Sequence, residues 1–271
     1  MTGEIANRDM LQTRRERAEY RVGSSVTIRL PTMDDPWMWL AAGWKDVWRA
    51  PGYSLAYGLA FTLSGFALTI GLYLIGLSAF VPAAAACFML AGPLIATGLY
   101  EISRRLETGE PLTWNDIVRA PVRSKVQMGL IGFLLMFLVL VWIRAATLLY
   151  ALFTYGVYMP LDRFAAFAIG EWQGLALIFT GSLVGAGLAL IVFSVAALSV
   201  PILMQKETDA ITALVASVGT VIRAPGPMLL WAWLIAVMCF FGLATAFLGL
   251  IVVFPLLGHA TWHAYRSMVR D

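Results

Sequence analysis

The chain has little with which to do chemistry or to brace a fold by covalent links. Its two cysteines, Cys87 and Cys239, lie far apart in apolar surroundings and in no Cys-x-x-Cys arrangement. That excludes a secretory disulfide framework and leaves buried structural thiols as the expectation. Its two histidines, His259 and His263, stand four residues apart, on one face of a helix. Two imidazoles on one helix cannot hold opposite faces of a haem, and no further ligand stands nearby in sequence to complete a metal site. No nucleotide-binding loop, serine-hydrolase elbow or zinc-protease motif occurs. Neither a catalytic residue nor a cofactor or metal ligand is therefore expected. Charge is also scarce, at 13% of residues against about a quarter in soluble domains. With 60% hydrophobic residues and a mean hydropathy of +0.79, the composition excludes an ordinary soluble domain. The basic pI near 9.0 is explained by cationic loops beside anionic lipid headgroups, so nucleic acid is not an expected partner.

What the chain has is uncharged length. Residues 50–100, 126–143, 172–205 and 224–265 carry no charge. Because about 20 helical residues cross a bilayer core of about 30 Å, the first and last of these stretches must each be a hairpin of two crossings. Six transmembrane helices are predicted, near residues 54–77, 81–100, 126–149, 175–200, 228–242 and 244–263. Seventeen of the nineteen Lys and Arg residues then fall on one side, with Arg144 and Arg163 opposite. Cationic loops mark the cytoplasmic face, so the expectation is a bacterial inner-membrane protein with both termini cytoplasmic. The polar first 30 residues lack the apolar core of a signal peptide and are expected to be a flexible cytoplasmic segment before a single membrane domain over residues 31–271.

The most specific feature is an internal repeat. Trp44-Lys45-Asp46-Val47-Trp48-Arg49-Ala50-Pro51 recurs as Trp114-Asn115-Asp116-Ile117-Val118-Arg119-Ala120-Pro121, and a weaker copy keeps Arg223-Ala224-Pro225. A second mark follows as Gly92-Pro93-Leu94, Val200-Pro201-Ile202 and Phe254-Pro255-Leu256. The expected fold is all-α: three repeated hairpins, over about residues 35–105, 112–205 and 209–267, each preceded by an amphipathic helix lying in the interface. In the first copy Asp35 can cap the helix with Pro36 at its first position. The apolar positions Trp37, Leu40, Ala41, Trp44, Val47 and Trp48 make one face. Thr113 with Asp116 resembles a capping box, and Asp209 precedes Ile211, Leu214, Val215, Val218, Val221 and Ile222. The proline ends one helix and starts the next at a new angle.

Specificity is concentrated in these corners, which makes Trp44, Trp48, Arg49, Trp114, Arg119 and Arg223 a candidate cytoplasmic docking surface. Elsewhere the signals are weaker. The segment from Tyr150 to Glu171 reads as a helix resting on the outer interface. Arg144 reaches the outer interface, and Glu101, Arg104 and Arg105 sit at the cytoplasmic end of the second crossing. Gly181-Ser182-Leu183-Val184-Gly185 is a Gly-x-x-x-Gly motif, which permits close helix packing within the chain or between two copies.

The stretch Asp35-Pro36-Trp37-Met38-Trp39-Leu40-Ala41-Ala42-Gly43-Trp44-Lys45-Asp46, followed by Pro51 and Tyr57-Gly58, resembles the start of a bacterial integral-membrane family catalogued as a domain of unknown function. Some members of that family carry the label of a cytochrome c oxidase subunit. A haem-copper catalytic subunit needs several histidines on different helices, so for this chain the label implies at most an accessory subunit. The resemblance carries no catalytic residues. Together these readings lead to a non-enzymatic membrane scaffold or accessory protein. Its expected partners are the lipid bilayer, anionic headgroups and either a membrane protein or a second copy. Two alternatives stand beside it: a transporter or channel lined by Thr62, Ser64, Thr180, Ser182 and Ser194, and an accessory subunit of a respiratory oxidase.

Overall fold

A computed structural model of the protein describes residues 19–23 and 26–270. Among the described residues, four helices are long and apolar enough to cross a membrane: α2 (Pro51–Leu74), α7 (Lys125–Phe153), α9 (Trp172–Gln205) and α11 (Pro225–Ala244). They read as spans for the reason the sequence suggests, since each is apolar around most of its circumference and leaves large side chains on its outer surface.

The other two expected crossings look different, for two separate physical reasons. Residues 81–100 form a broken path through α3 (Val81–Leu90), α4 (Gly92–Ile95) and α5 (Thr97–Thr108). Pro93 has no N–H to give and its ring crowds the preceding turn, so the helix breaks on either side of it. The carbonyls freed there find side chains. Tyr57 donates its hydroxyl to Ile95 O, and Thr97 donates to Leu94 O at 3.1 Å. The last helix, α12 (Leu250–Met268), begins six residues later than expected and is buried along much of its length. Enclosed by α1 (Asp35–Arg49), α2 and α5, it needs no apolar circumference, which is why it carries His259, His263 and Arg266. Turn residues Ala246 and Phe247, both at positive φ, separate it from α11.

Helix α12 is reached so closely because glycines line its neighbours. A side chain added at Gly43 would lie 2.7 Å from Ala260 N, and one at Gly58 would lie 2.1 Å from Ile251 O. Any other residue at these two positions would push the backbones apart.

The corners of the first and third copies have the same geometry. Ala50 adopts φ −134°, ψ 56°, and Ala224 adopts φ −127°, ψ 61°. Each ends its helix by donating its N–H four residues back, to Asp46 O at 3.1 Å and Thr220 O at 2.9 Å. The next helix starts at the following proline, whose missing N–H costs nothing at a first turn. In the middle copy α6 (Trp114–Val118) is shorter, and the chain runs on through residues 120–124 before α7 begins. Arg123 and Ser124 use that extension to donate their N–H groups to Met204 O and Leu203 O, at 3.2 and 3.1 Å. These carbonyls belong to the last turn of α9, where a helix leaves acceptors unpaired.

One small sheet was not legible in the sequence pattern. Strand β1 (Glu19–Val22) pairs antiparallel with β2 (Val26–Arg29), which pairs with β3 (Val269–Arg270). Val26 and Ile28 face inward with period two, toward α12 and α10 (Ala210–Arg223). Of the N-terminal segment expected to be flexible, residues 19–22 and 26–29 thus contribute two paired strands; residues 1–18, 24 and 25 lie outside the described residues. Tyr20 fastens the hairpin by donating to Ala216 O at 2.8 Å. Lys206 reaches Arg270 O at 2.5 Å, and Arg29 donates to Ser267 O at 2.9 Å. The sheet defines one end of the bundle, called the sheet end below. The far end carries α8 (Leu161–Gly170) and the turns near Leu77, Tyr155 and Phe247.

Helix starts follow the sequence with small shifts. Asp34 is the N-cap of α1, one residue before the expected Asp35. The Asp35 carboxylate turns back instead to Thr32 N, Thr32 Oγ1 and Arg29. Asp209 caps α10 through Thr212 N at 2.8 Å. Thr113 accepts from Asp116 N at 3.3 Å and donates to Asp116 Oδ2, so the short Asp side chain meets the capping hydroxyl rather than the backbone.

Candidate functional site

The most developed polar arrangement lies where α1, α2, α5 and α12 meet. Close packing at Gly43 turns the Asp35, Trp39, Gly43 and Asp46 face of α1 inward, which carries the Asp46 carboxylate into the bundle with 3% exposure. Ser103 Oγ donates to Asp46 Oδ2 at 2.8 Å, and His263 Nε2 stands 2.8 Å from the same oxygen. Because Ser103 spends its proton on Asp46, it accepts from His259 Nδ1 at 2.7 Å. His259 Nε2 is then the acceptor for Ser54 Oγ at 3.0 Å. The order Ser54, His259, Ser103, Asp46, His263 is a continuous hydrogen-bonded chain. Burial would raise the Asp46 pKa, but the hydrogen bonds from His263 and Ser103 hold it below the ordinary carboxylate value.

A serine bonded to a histidine is the pairing used to activate nucleophiles. Here Ser54, Ser103 and His259 are all 0% exposed, so no substrate can reach the hydroxyl and the chain acts as a clamp on four helices. Sequence reasoning placed the two histidines on one face and missed their partner, because Asp46 comes from more than two hundred residues away. One signal was available. Asp46 is repeated as Asp116, and the third copy has Thr220 at that position. Each of the three is partnered: Asp116 meets Arg105 at 3.1 Å, and Thr220 Oγ1 lies 2.9 Å from Tyr20 OH. Among the described residues no group of three His, Cys, Asp or Glu side chains is arranged to hold a metal ion.

Beyond this clamp lies a set of ion pairs on α5 and the loop after it. Buried Glu101 receives Arg104 through both oxygens at 2.8 Å and Arg105 at 2.6 Å. Arg104 also grips exposed Glu110 at 2.8 and 2.7 Å, and this guanidinium draws the Glu110 pKa down to about 2. Glu107 joins α5 to α12 through Trp262 Nε1 at 3.2 Å and Arg266 at 3.1 Å.

The candidate docking residues occupy the outside of the sheet end. Trp44 and Trp48 stand edge to face, 5.6 Å apart, and both are about half exposed. Trp114, also about half exposed, leans on Tyr53 at 4.7 Å. Arg49 is largely exposed with one nitrogen 3.8 Å from Asp46. Arg119 is exposed, and Arg223 lies 4.4 Å over the Tyr20 ring. The three arginines therefore have three different surroundings, and their equivalence in sequence does not extend to their neighbours.

The hydroxyls considered as a pore lining do not gather. Thr62 donates to Phe247 O at 3.2 Å. Ser64, which is exposed, and Ser194, which is half-buried, bond back to Ala60 O and Leu190 O of their own helices. Ser182 instead lines a far-end cavity together with Trp142 and Gly181. Arg144 is exposed on α7. Cys87 and Cys239 are free thiols, each partly buried. In the segment after α7, Pro160 precedes α8, and Tyr158 donates to Gly76 O.

Comparison with known proteins agrees with this architecture at one point. Residues 80–205 match the family described as "Predicted integral membrane protein (DUF2189)". No curated protein and no solved structure matches the chain.

Proposed function

We propose that this chain, an integral membrane protein with the family's domain of unknown function over residues 80–205, is a non-enzymatic scaffold or accessory protein of a bacterial inner membrane. In this reading it crosses the bilayer six times, keeps both termini on the cytoplasmic side and presents the sheet end to partners. One observation carries the reading. Helices α1 and α10 are amphipathic and turn large apolar side chains outward as well as inward. Their inward faces carry small or polar residues, Gly43 and Asp46 beside Trp39 and Val47 in α1, and Ala213, Ser217 and Thr220 in α10. Their outward faces hold Trp37, Trp44 and Trp48, and Ile211, Val215 and Ile222. Outward apolar side chains at the ends of membrane spans have a natural solvent in the headgroup layer, where indoles and cations are both favoured.

Two further features support this topology. The sheet draws Val26–Arg29 and Val269–Arg270 to one end of the bundle, as an even number of crossings requires. The broken path over residues 81–100 has its freed carbonyls taken up by Tyr57 and Thr97, the arrangement needed where no water can reach. A transport route would call for polar side chains gathered on one path, and Thr62, Ser64 and Ser194 are each spent on a backbone carbonyl.

The test is recovery of partners from mild detergent, read by mass spectrometry, for the wild type and for a variant with Arg49, Arg119 and Arg223 all changed to Ala. Loss of specific co-purifying membrane proteins at unchanged abundance supports the docking role. An unchanged partner set would remove the arginines from that role, and loss of the protein itself would make them marks of the helix corners.

A further inference from the structure

The Gly181 to Gly185 segment of α9 has the spacing that lets a second helix come close, but its glycines are not used in that way. A side chain built at Gly181 would meet nothing within 4 Å, and one built at Gly185 would meet the Trp142 ring at 3.1 Å. With the neighbouring alanines, these glycines hollow out a cavity of about 640 Å³ walled by α3, α7, α8 and α9, within the range of ~300–1,000 Å³ typical of small-molecule sites.

The wall is chemically one-sided. Among the described residues no charged side chain lines it. The Trp142 indole N–H is spent on Ala83 O at 2.9 Å. The Tyr150 hydroxyl accepts from Met159 N at 2.7 Å and donates to Val157 O at 3.4 Å, which leaves Ser182 as the remaining side-chain hydroxyl in the lining. A ligand with polar groups to satisfy would find few partners and would pay for their desolvation.

The dimensions match one leaflet. Along α7 the wall runs from Trp142 to Tyr150, and along α9 from Leu177 to Ala186. At ~1.5 Å per residue these stretches rise about 12 and about 13.5 Å, close to half of a ~30 Å hydrocarbon core. At the far end Phe80, Tyr150 and Phe164 close the hollow, with ring centroids 5.4 and 5.7 Å apart. Beside it, Leu148 and Leu152 on α7 and Phe179 and Leu183 on α9 are exposed, so the lining continues into the outward apolar surface of two spans.

We propose that this cavity holds one acyl chain of a membrane lipid from the far-end leaflet, retained in the protein rather than exchanging with the surrounding bilayer. The proposal rests on the reading that α7 and α9 cross the membrane. To test it, the purified full-length protein is reconstituted in phosphatidylcholine vesicles containing a phosphatidylcholine with a diazirine in mid-chain, irradiated, and its labelled peptides mapped by mass spectrometry. Label should concentrate on residues 142–150 and 177–186, above the level on outward Phe133 of α7. Gly181→Leu should lower the cavity label several-fold and leave the Phe133 label unchanged. Ala146→Leu fills the same hollow from α7 and serves if the first variant does not fold. Cavity label no higher than that at Phe133, or undiminished in the filled variants, overturns the proposal. So does efficient disulfide dimerisation of Gly181→Cys in a background lacking Cys87 and Cys239, which would seat a second copy there. Label on neither surface would remove the membrane placement of α7 and α9, and the proposal with it.

Discussion

Asp46 on α1 and His263 on α12, 2.8 Å apart, tie the first described helix of the chain to the last. With Ser103, His259 and Ser54 they form a network that touches α1, α2, α5 and α12 together. Its energetic weight comes less from the bonds themselves than from the cost of leaving one member unpaired in a closed interior.

Asp46→Ala should therefore lower the stability of the detergent-solubilised protein by about 1–3 kcal/mol, seen as a drop in its thermal unfolding midpoint. Asp46→Asn keeps an acceptor for Ser103 and should cost less. Equal midpoints for wild type and Asp46→Ala would show that the network holds nothing together.

The same carboxylate sets a pH dependence. Its folded pKa lies below the ordinary value of 3.8, so it binds a proton less readily in the folded than in the unfolded chain. The stability it contributes is complete above the ordinary value and is lost as pH falls through the depressed one. His263, Arg49, Ser103 and His259 are the groups that face it. Midpoints measured from pH 6 downward should show a wild-type acid loss that is smaller in Asp46→Asn; parallel curves for the two proteins would contradict this.

Much of this protein was legible because lipid imposes strong rules on composition. The four long spans follow from uncharged length, and the corner at Ala50-Pro51 follows from proline chemistry, recurring at Ala224-Pro225 with nearly the same dihedrals. The clamp was not legible, because nothing local distinguishes Asp46 from a solvated interfacial carboxylate. Only the approach of Gly43 to Ala260 turns it inward. The sheet was missed for a related reason: β1 and β2 are four residues each, and the third strand of two residues lies at the other end of the chain. The Gly181 motif was legible as a motif, but its role depends on Trp142, which comes from a different helix.

Gly58→Ala is expected to be far more damaging than its one methyl group suggests. The new carbon would sit 2.1 Å from Ile251 O, and a backbone carbonyl cannot swing away as a side chain can. A loss of about 1–3 kcal/mol is the usual size of such overpacking. Gly71→Ala, on the same helix with nothing within 4 Å, is the matched control. Comparable folded yields for the two variants would place α2 and α12 further apart than described.

Tyr57→Phe removes the hydroxyl that satisfies Ile95 O beside the break at Pro93. The expected cost is about 0.5–1.5 kcal/mol, with faster amide exchange around residues 95–100. Unchanged exchange there would mean that the break is held by other contacts.

The proposed tryptophan and arginine belt requires a chain embedded in lipid with both ends at one cytoplasmic face. Small epitope tags on the two termini, probed by protease added to intact spheroplasts and then to lysed ones, test this directly. The predicted result is that both tags survive until lysis and are then cleaved together. Cleavage of either tag in intact spheroplasts would contradict the topology and the placement of the tryptophan and arginine belt.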